Sequence, residues 1–270
     1  MQLIRESKIL ISTLTGLKDK DPDMTVGFVP TMGALHEGHL SLIRACKAQC
    51  DLVVCSIFVN PTQFNDPADL EKYPRKESED LALLEREGCD YVYLPSVKDI
   101  YPSGSEDYEI ELGILNEVME GKFRPDHFRG VAMVVERFFE IVKPDYAFFG
   151  EKDFQQLAVI RHMARLRDLS VRIIAVETAR SEDGLALSSR NLLLNKEQLQ
   201  AALIIYETMV LAQAFKEENN HPADVISDLL KFFEKGNLRL EYLEIVDQDT
   251  LLPAEQWQNA RICIAAYSGK

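Results

Sequence analysis

Short, almost wholly apolar runs bounded by turn residues recur along the first two thirds of this chain, with longer amphipathic stretches between them. Met24-Thr-Val-Gly-Phe-Val-Pro30 is one, closed by a proline, and Leu52-Val-Val-Cys-Ser-Ile-Phe-Val59 is the next. Cys89-Asp-Tyr-Val-Tyr-Leu94, Tyr146-Ala-Phe-Phe149 and Val171-Arg-Ile-Ile-Ala-Val176 continue the series. A strand without a polar face has to be covered on both sides, and helices between strands supply that cover. The pattern therefore predicts an α/β fold, a doubly wound parallel sheet over residues 1–178, with helices over 40–50, 77–88, 131–142 and 154–168. Such sheets bind ligands beyond the carboxyl ends of their strands, near the point where strand order reverses.

Past residue 178 the rhythm changes. One long helical pattern covers 196–218, His221-Pro222 interrupts it, and 223–235 resumes before Gly236-Asn237 ends the helix. Strand-like runs follow at 240–246 and 260–267. Two helices and a small sheet predict a second, smaller α+β domain over 179–270.

Charge and cysteine content narrow the function classes. Lys and Arg number 30 against 44 Asp and Glu, a net charge of −14 over 270 residues. That excludes a broad basic surface, so neither nucleic acid nor an anionic membrane is expected as a partner. A basic pocket remains open, because a few cations can reverse the field within one cleft. Five cysteines without paired metal-ligand spacing predict free thiols in a reducing cytoplasm. The charged N-terminal stretch does not read as a signal or transit peptide, and no apolar run has membrane-spanning length.

The most specific local feature is Val29-Pro-Thr-Met-Gly-Ala-Leu-His36-Glu-Gly-His39, between the first strand and the next helix. Gly33 and Gly38 let backbone approach a ligand, and histidines three apart at a helix start can face one bound group. The helix N-terminus adds N–H groups suited to an anion. A zinc-protease reading fails, since that motif needs histidines four apart; packed or capping histidines remain the bland alternative. Asn60-Pro-Thr-Gln63 follows the second strand with uncharged donors and acceptors, or is a plain turn. Gly150-Glu151-Lys152-Asp153-Phe-Gln-Gln156 again opens a helix after a strand. Lys152 offers a point charge for phosphate, and Asp153 either caps the helix or takes a ribose hydroxyl. Leu187-Ser188-Ser189-Arg190, near the expected domain junction, suits phosphate oxygens or caps a helix. Arg124-Pro-Asp-His127-Phe-Arg129-Gly130 is a cationic loop to which composition assigns no role.

Taken in order, these blocks resemble the pantothenate synthetase (pantoate–β-alanine ligase) family. The resemblance runs through Pro30 to His39, Ser56-Ile-Phe-Val-Asn-Pro-Thr-Gln-Phe64, Tyr73-Pro-Arg75 and His127-Phe-Arg-Gly130. It continues through Phe149 to Gln156 and Asp183-Gly-Leu-Ala-Leu-Ser-Ser-Arg-Asn191. It implies a Rossmann-like domain of the nucleotidyltransferase superfamily, a small C-terminal domain over the site, and a homodimer. The implied reaction joins pantoate to β-alanine through a pantoyl adenylate, with ATP as co-substrate and Mg²⁺ as its metal, releasing AMP and pyrophosphate. Carried onto this chain, Met32, Gly33, Ala34, Leu35, His36, Glu37, Gly38 and His39 would form the ATP turn, with His39 the proton donor. Gly150, Glu151, Lys152 and Asp153 would contact nucleotide, Ala179 the adenine, and Leu187, Ser188, Ser189 and Arg190 the triphosphate. His36, Lys152 and Arg190 would join His39 in catalysis. Gln63, Gln156 and Asn60 would hold pantoate and β-alanine, and Asp80 would help position Mg²⁺. Arg180-Ser181-Glu182 departs from the usual residues before Asp-Gly. An adenylyl transferase that stops at the adenylate and an ATP-binding sensor are the competing readings.

Overall fold

The computed structural model describes residues 1–102 and 108–268, which divide into two compact units: Met1–Asn116 with Arg124–Ala179, and Glu117–Phe123 with Arg180–Lys270. In the first unit, β1 (Gln2–Ile4), β2 (Val26–Thr31), β3 (Leu52–Ile57), β4 (Tyr91–Tyr93), β5 (Tyr146–Gly150) and β6 (Arg172–Val176) form one sheet. Its order is β1-β4-β3-β2-β5-β6 and every pairing is parallel. The five apolar runs all became strands. The edge strand β1 was not foreseen, because three residues are too few to carry a periodicity.

From β2 the chain steps outward through β3 and β4, then returns to place β5 on the other side of β2. The carboxyl ends of β2 and β5 thus flank the switch point where ligands bind in such sheets. The helices α1 (Ser7–Lys18), α2 (Glu37–Gln49), α3 (Pro67–Lys72), α4 (Glu77–Glu87) and α5 (Val97–Ile100) lie in the first unit. The short α6 (Met119–Phe123) groups with the second unit, and α7 (His127–Val142) and α8 (Phe154–Leu166) return to the first.

Alternation along β2 and β3 sends side chains to two apolar layers. Val29, Val53, Cys55 and Ile57 pack with Leu42, Ile43 and Cys46 of α2 and Leu84 of α4. The helix α2 comes close because Gly27 has no side chain; a Cβ there would overlap the sulfurs of Cys46 and Cys50. On the opposite face Phe28 meets Phe138 of α7 edge-on at 5.6 Å, and Phe58 meets the same ring at 6.1 Å. That helix buries twelve of its sixteen residues, so it is held as firmly as a strand. It starts at His127, four residues before the periodicity predicted, from a left-handed Asp126 (φ 61°).

The second unit has α9 (Lys196–Glu217), α10 (Pro222–Phe233) and the antiparallel pair β7 (Arg239–Asp247) and β8 (Ala260–Tyr267). Asn195 and Gln198 each accept the other's backbone N–H at 2.8 Å, a reciprocal cap that starts α9. Asn237, left-handed at φ 53°, ends the turn that follows α10. Ile204, Val225, Leu229, Phe233, Leu243 and Ile245 form its core. Phe123 of α6 stacks on Tyr242 at 6.0 Å within this unit. Among the described residues no helix is long and apolar enough to cross a membrane.

Candidate active site

The turn after β2 is built on two consecutive left-handed residues, Gly33 (φ 80°) and Ala34 (φ 49°). A non-glycine residue there costs about 1–2 kcal/mol, so something must hold it. Asp80, at the start of α4 and only 1% exposed, supplies the hold: Ala34 N donates to its Oδ2 at 2.9 Å and Leu35 N to its Oδ1 at 2.7 Å. Thr31 adds a third fastening, its hydroxyl accepting Gly33 N at 3.2 Å while donating to Ser56 O at 2.7 Å. Burial pushes the Asp80 carboxyl up, against the two N–H bonds that favour its charge. The structure therefore makes Asp80 the brace of this turn. Both its oxygens are occupied from the protein side, and among the described residues no group of three or more potential ligands assembles around a metal.

His36 and His39 follow, locked by a reciprocal cap at the start of α2. Gly38 N donates to His36 Nδ1 at 3.1 Å, and His36 N donates to His39 Nδ1 at 3.3 Å. A ring nitrogen that accepts an N–H carries no proton, so in each neutral ring the proton sits on Nε2. The capping reading is met, and it does not compete with a functional one, because capping with Nδ1 leaves each Nε2–H to donate elsewhere. The rings lie 4.1 Å apart. Burial and the neighbouring imidazole pull His39 down to about 3, and burial together with Lys152 lowers His36. Near neutral pH both are uncharged hydrogen-bond donors, and His39 holds no acidic proton until a bound polyanion raises its affinity for one. Gly38 keeps the space between: a Cβ there would sit 2.9 Å from His36 Cε1 and 3.7 Å from the side chain of Ala179. Glu37 turns its carboxylate to Arg44, so only its backbone faces the turn.

Across the switch point, Gly150 leads from β5 into the short turn Glu151–Asp153 and then α8. Lys152 and Asp153 both act on the histidines, the cation lowering and the carboxylate raising their proton affinity. Their own side chains pair at 3.1 Å. Asp153 stands at the cap position of α8 yet makes no side-chain cap bond. Of the two following glutamines, Gln155 is buried and donates to Leu115 O at 2.9 Å. Gln156 is partly buried, and its amide has no hydrogen-bond partner among the described residues.

The turn after β3 departs from expectation. Asn60, 1% exposed, uses both amide protons inside the protein, on Gln63 Oε1 at 3.2 Å and Gly130 O at 3.1 Å. Its own oxygen accepts from Thr62 Oγ1 at 3.0 Å and Tyr101 OH at 2.9 Å. Both ends of this side chain are satisfied within the protein, and one of its bonds holds the Gln63 amide. Gln63 keeps one soft contact, its Nε2 donating to the Met32 sulfur at 3.1 Å. Thioether is a weak acceptor, so a better one displaces it readily. Met32 thereby joins the histidine turn to the glutamine turn.

Behind Gln63 stands the loop to which composition gave no role. His127 Nδ1 donates to Gln63 O at 2.7 Å, and Arg124 donates to the same oxygen at 3.3 Å. Gly130 lets α7 rest on the backbone of Thr62 and Gln63, where a Cβ would overlap the Thr62 carbonyl. Sequence reasoning missed this because the partners lie more than sixty positions away; the only signal was His, Arg and Gly clustered without an assignment.

In the second unit, Ser188 Oγ accepts Arg190 N at 3.3 Å and opens the short helical turn Ser189–Leu193. Ser189 is buried and Arg190 exposed. The segment before it is pinned by Gly184 (φ 90°), which lies flat against the Tyr206 ring while Arg180 covers the same ring at 5.0 Å. The departure at Arg180-Ser181-Glu182 is accommodated there, Ser181 N bonding Leu185 O at 2.8 Å.

The family model for pantoate-beta-alanine ligase matches residues 2–270. Pantothenate synthetase of Dehalococcoides mccartyi is 46% identical over 250 residues, covering 91% of this chain and 92% of that one. The Bacteroides fragilis pantothenate synthetase is 44% identical, covering 100% and 95%. The crystal structure of pantothenate synthetase from Thermus thermophilus superposes with a TM-score of 0.90 at 39% identity, covering 99% and 95%. That of the Francisella tularensis pantoate-beta-alanine ligase complexed with beta-gamma ATP and beta-alanine gives 0.84 at 34%, covering 100% and 94%. A turn of paired histidines at the switch point, in a chain matched from end to end at this identity, makes the protein a member of the pantoate–β-alanine ligase family of enzymes.

Proposed function

We propose that this chain condenses pantoate with β-alanine at the expense of ATP, through a pantoyl adenylate. A pantoate carboxylate oxygen attacks the α-phosphorus, and the bond to pyrophosphate breaks. The β-alanine amine then attacks the acyl carbon, the bond to AMP oxygen breaks, and the amine proton leaves to solvent. Neither step needs a protein nucleophile, so the protein's work is positioning and neutralising charge. The observation that carries the reading is the Met32 contact: one turn presents two neutral Nε2–H donors at one end and touches the Gln63 amide at the other. In this reading the site for a phosphate chain and a site of uncharged amide groups for a hydroxy acid lie side by side.

In this reading His36 and His39 donate to phosphate oxygens, and Lys152 supplies the fixed positive charge. Asp153 takes ribose, backbone near Ala179 takes adenine, and Ser188, Ser189 and Arg190 bind phosphate oxygens. Gln63 and Gln156 hold pantoate. Mg²⁺ would enter with the nucleotide, in keeping with its preference for phosphate and water ligands. The proposal extends to a cytoplasmic homodimer, which light scattering on a sizing column tests. Incubation with MgATP, pantoate and β-alanine should yield AMP and pantothenate in equal amounts, read by mass. ADP as product, or AMP formed without pantoate, would overturn the mechanism. An adenylate that accumulates despite β-alanine would favour an enzyme that stops at the first step.

A further inference from the structure

One motif remains outside the chemistry: the first turn of α7 and the residues before it. Three of its contacts converge on Gln63. His127 is buried, and carbonyl oxygen only accepts, so the 2.7 Å contact with Gln63 O fixes the His127 proton on Nδ1. The far ring nitrogen then accepts from Arg124 Nη1 at 3.4 Å, and Arg124 also reaches Gln63 O directly at 3.3 Å. The side-chain end of Gln63 is held from the same helix. Gly130 O accepts one proton of the Asn60 amide, whose other proton goes to Gln63 Oε1. Gly130 is also where α7 touches the Gln63 backbone.

We propose that His127 is a positioning residue for pantoate, acting through Gln63, with Arg124 setting its tautomer and Gly130 its distance. Resting on the reading that Gln63 binds pantoate, this deepens it. The physical logic is that the short 3-10 turn Pro61–Gln63 has little rigidity of its own. An amide that must meet a small hydroxy acid within a fraction of an ångström therefore takes its rigidity from a buried helix. With the carbonyl released, the turn can rotate and carry the amide away from its task.

His127→Ala and His127→Asn separate positioning from mere folding, because asparagine can place its Nδ2–H close to the position of the imidazole Nδ1–H. The expected result for His127→Ala is a rise in pantoate KM of about 10- to 100-fold, the range for a misplaced positioning group. ATP KM should stay within about twofold, since the histidine turn is braced by Asp80 instead. His127→Asn should recover most of the loss. In a Gln63→Ala background, His127→Ala should add little. Equal rises in both KM values, no recovery by asparagine, or full additivity with Gln63→Ala would each overturn the inference. Gln63→Ala serves as the control on the reading beneath it. If it leaves pantoate KM unchanged, the pantoate assignment of Gln63 falls and the inference with it. If it raises pantoate KM while His127→Ala does not, only the inference falls. ATP binding by the His127→Ala protein, measured calorimetrically, checks that the variant is folded.

Discussion

The two adjacent turns to which substrate positioning is proposed are held in different ways. The turn after β2 carries its constraints mostly within itself: left-handed Gly33 and Ala34, and histidines that cap one another at separations of two and three positions. Its remote holds are Asp80, about 45 positions on, and Ser56, which accepts from Thr31. The turn after β3 has local bonds from Asn60 to Thr62 and Gln63, but two of its key bonds come from positions 64 and 70 residues away. The difference suits the ligands proposed for each. A polyphosphate is met by backbone and ring N–H groups that a single turn can display, whereas a small hydroxy acid is met by side-chain amides whose angle must be fixed from behind.

The largest effect should come from breaking the local turn at its chemical end. His39→Ala removes both the Nε2–H donor and the partner of the His36 backbone N–H, and turnover should fall by about 10²-fold or more. Steady-state AMP release measures it. A protein that senses ATP would keep its output in the same variant.

The two hubs offer a direct contrast. Asp80→Ala orphans two buried N–H groups and removes the hold on a strained Ala34, so a loss of about 2–4 kcal/mol is expected in chemical denaturation. The functional deficit should appear in ATP KM. Asn60→Ala should cost a similar or smaller amount but show its deficit in pantoate KM, because one of its amide protons holds Gln63 Oε1. If both variants shift the same KM, the division of labour between the turns is wrong.

How much of this was legible follows from the same contrast. The parallel sheet, its switch point and the histidine turn were readable because apolar runs, glycines and a strand-to-helix junction are local signals. The long helices and final hairpin of the second unit were readable for the same reason. The bond from Asn60 to α7 was not legible, because an amide after a strand looks alike whether it faces substrate or a helix seventy residues away. Gln155 and Gln156 are neighbours of one type, and only helix geometry tells which is buried. Asp80 sits in a run of charged residues that reads as a solvated face until the fold folds it inward.

Smaller effects should come from glycines that permit close approach. Gly130→Ala forces a methyl against the Thr62 carbonyl, an overpacking that typically costs about 1–3 kcal/mol. Pantoate KM should rise with it. Gly33→Ala meets a left-handed φ of 80° and Asp80 Oδ2 at 3.0 Å from its Cβ, so about 1–2 kcal/mol is expected, with ATP KM rising instead. Urea midpoints and the two KM values together separate these cases.

The smallest expected effect is a pH dependence that belongs to the histidine turn alone. His39 has its proton affinity depressed in the folded chain, to about 3, against the ordinary 6.5 of an unfolded histidine. Between those values the unfolded chain binds a proton that the folded chain refuses, so stability is complete above pH 6.5 and declines as pH falls through that window. His36 is shifted in the same direction and adds to the decline. The limit for one proton is about 1.4 kcal/mol per pH unit, and the partial exposure of the rings keeps each contribution below it. Denaturation midpoints at pH 7.5 and 5.5 read this before most carboxylates titrate. A His39→Gln variant should show a shallower decline, whereas Gln63→Ala, in the turn that holds no titrating ring of its own, should match the parent slope. Saturating MgATP should shrink the contrast, because phosphate oxygens favour the charged ring that burial disfavours and so raise the folded chain's proton affinity toward the unfolded value; a slope that ignores both the variant and the nucleotide would place the titrating group elsewhere.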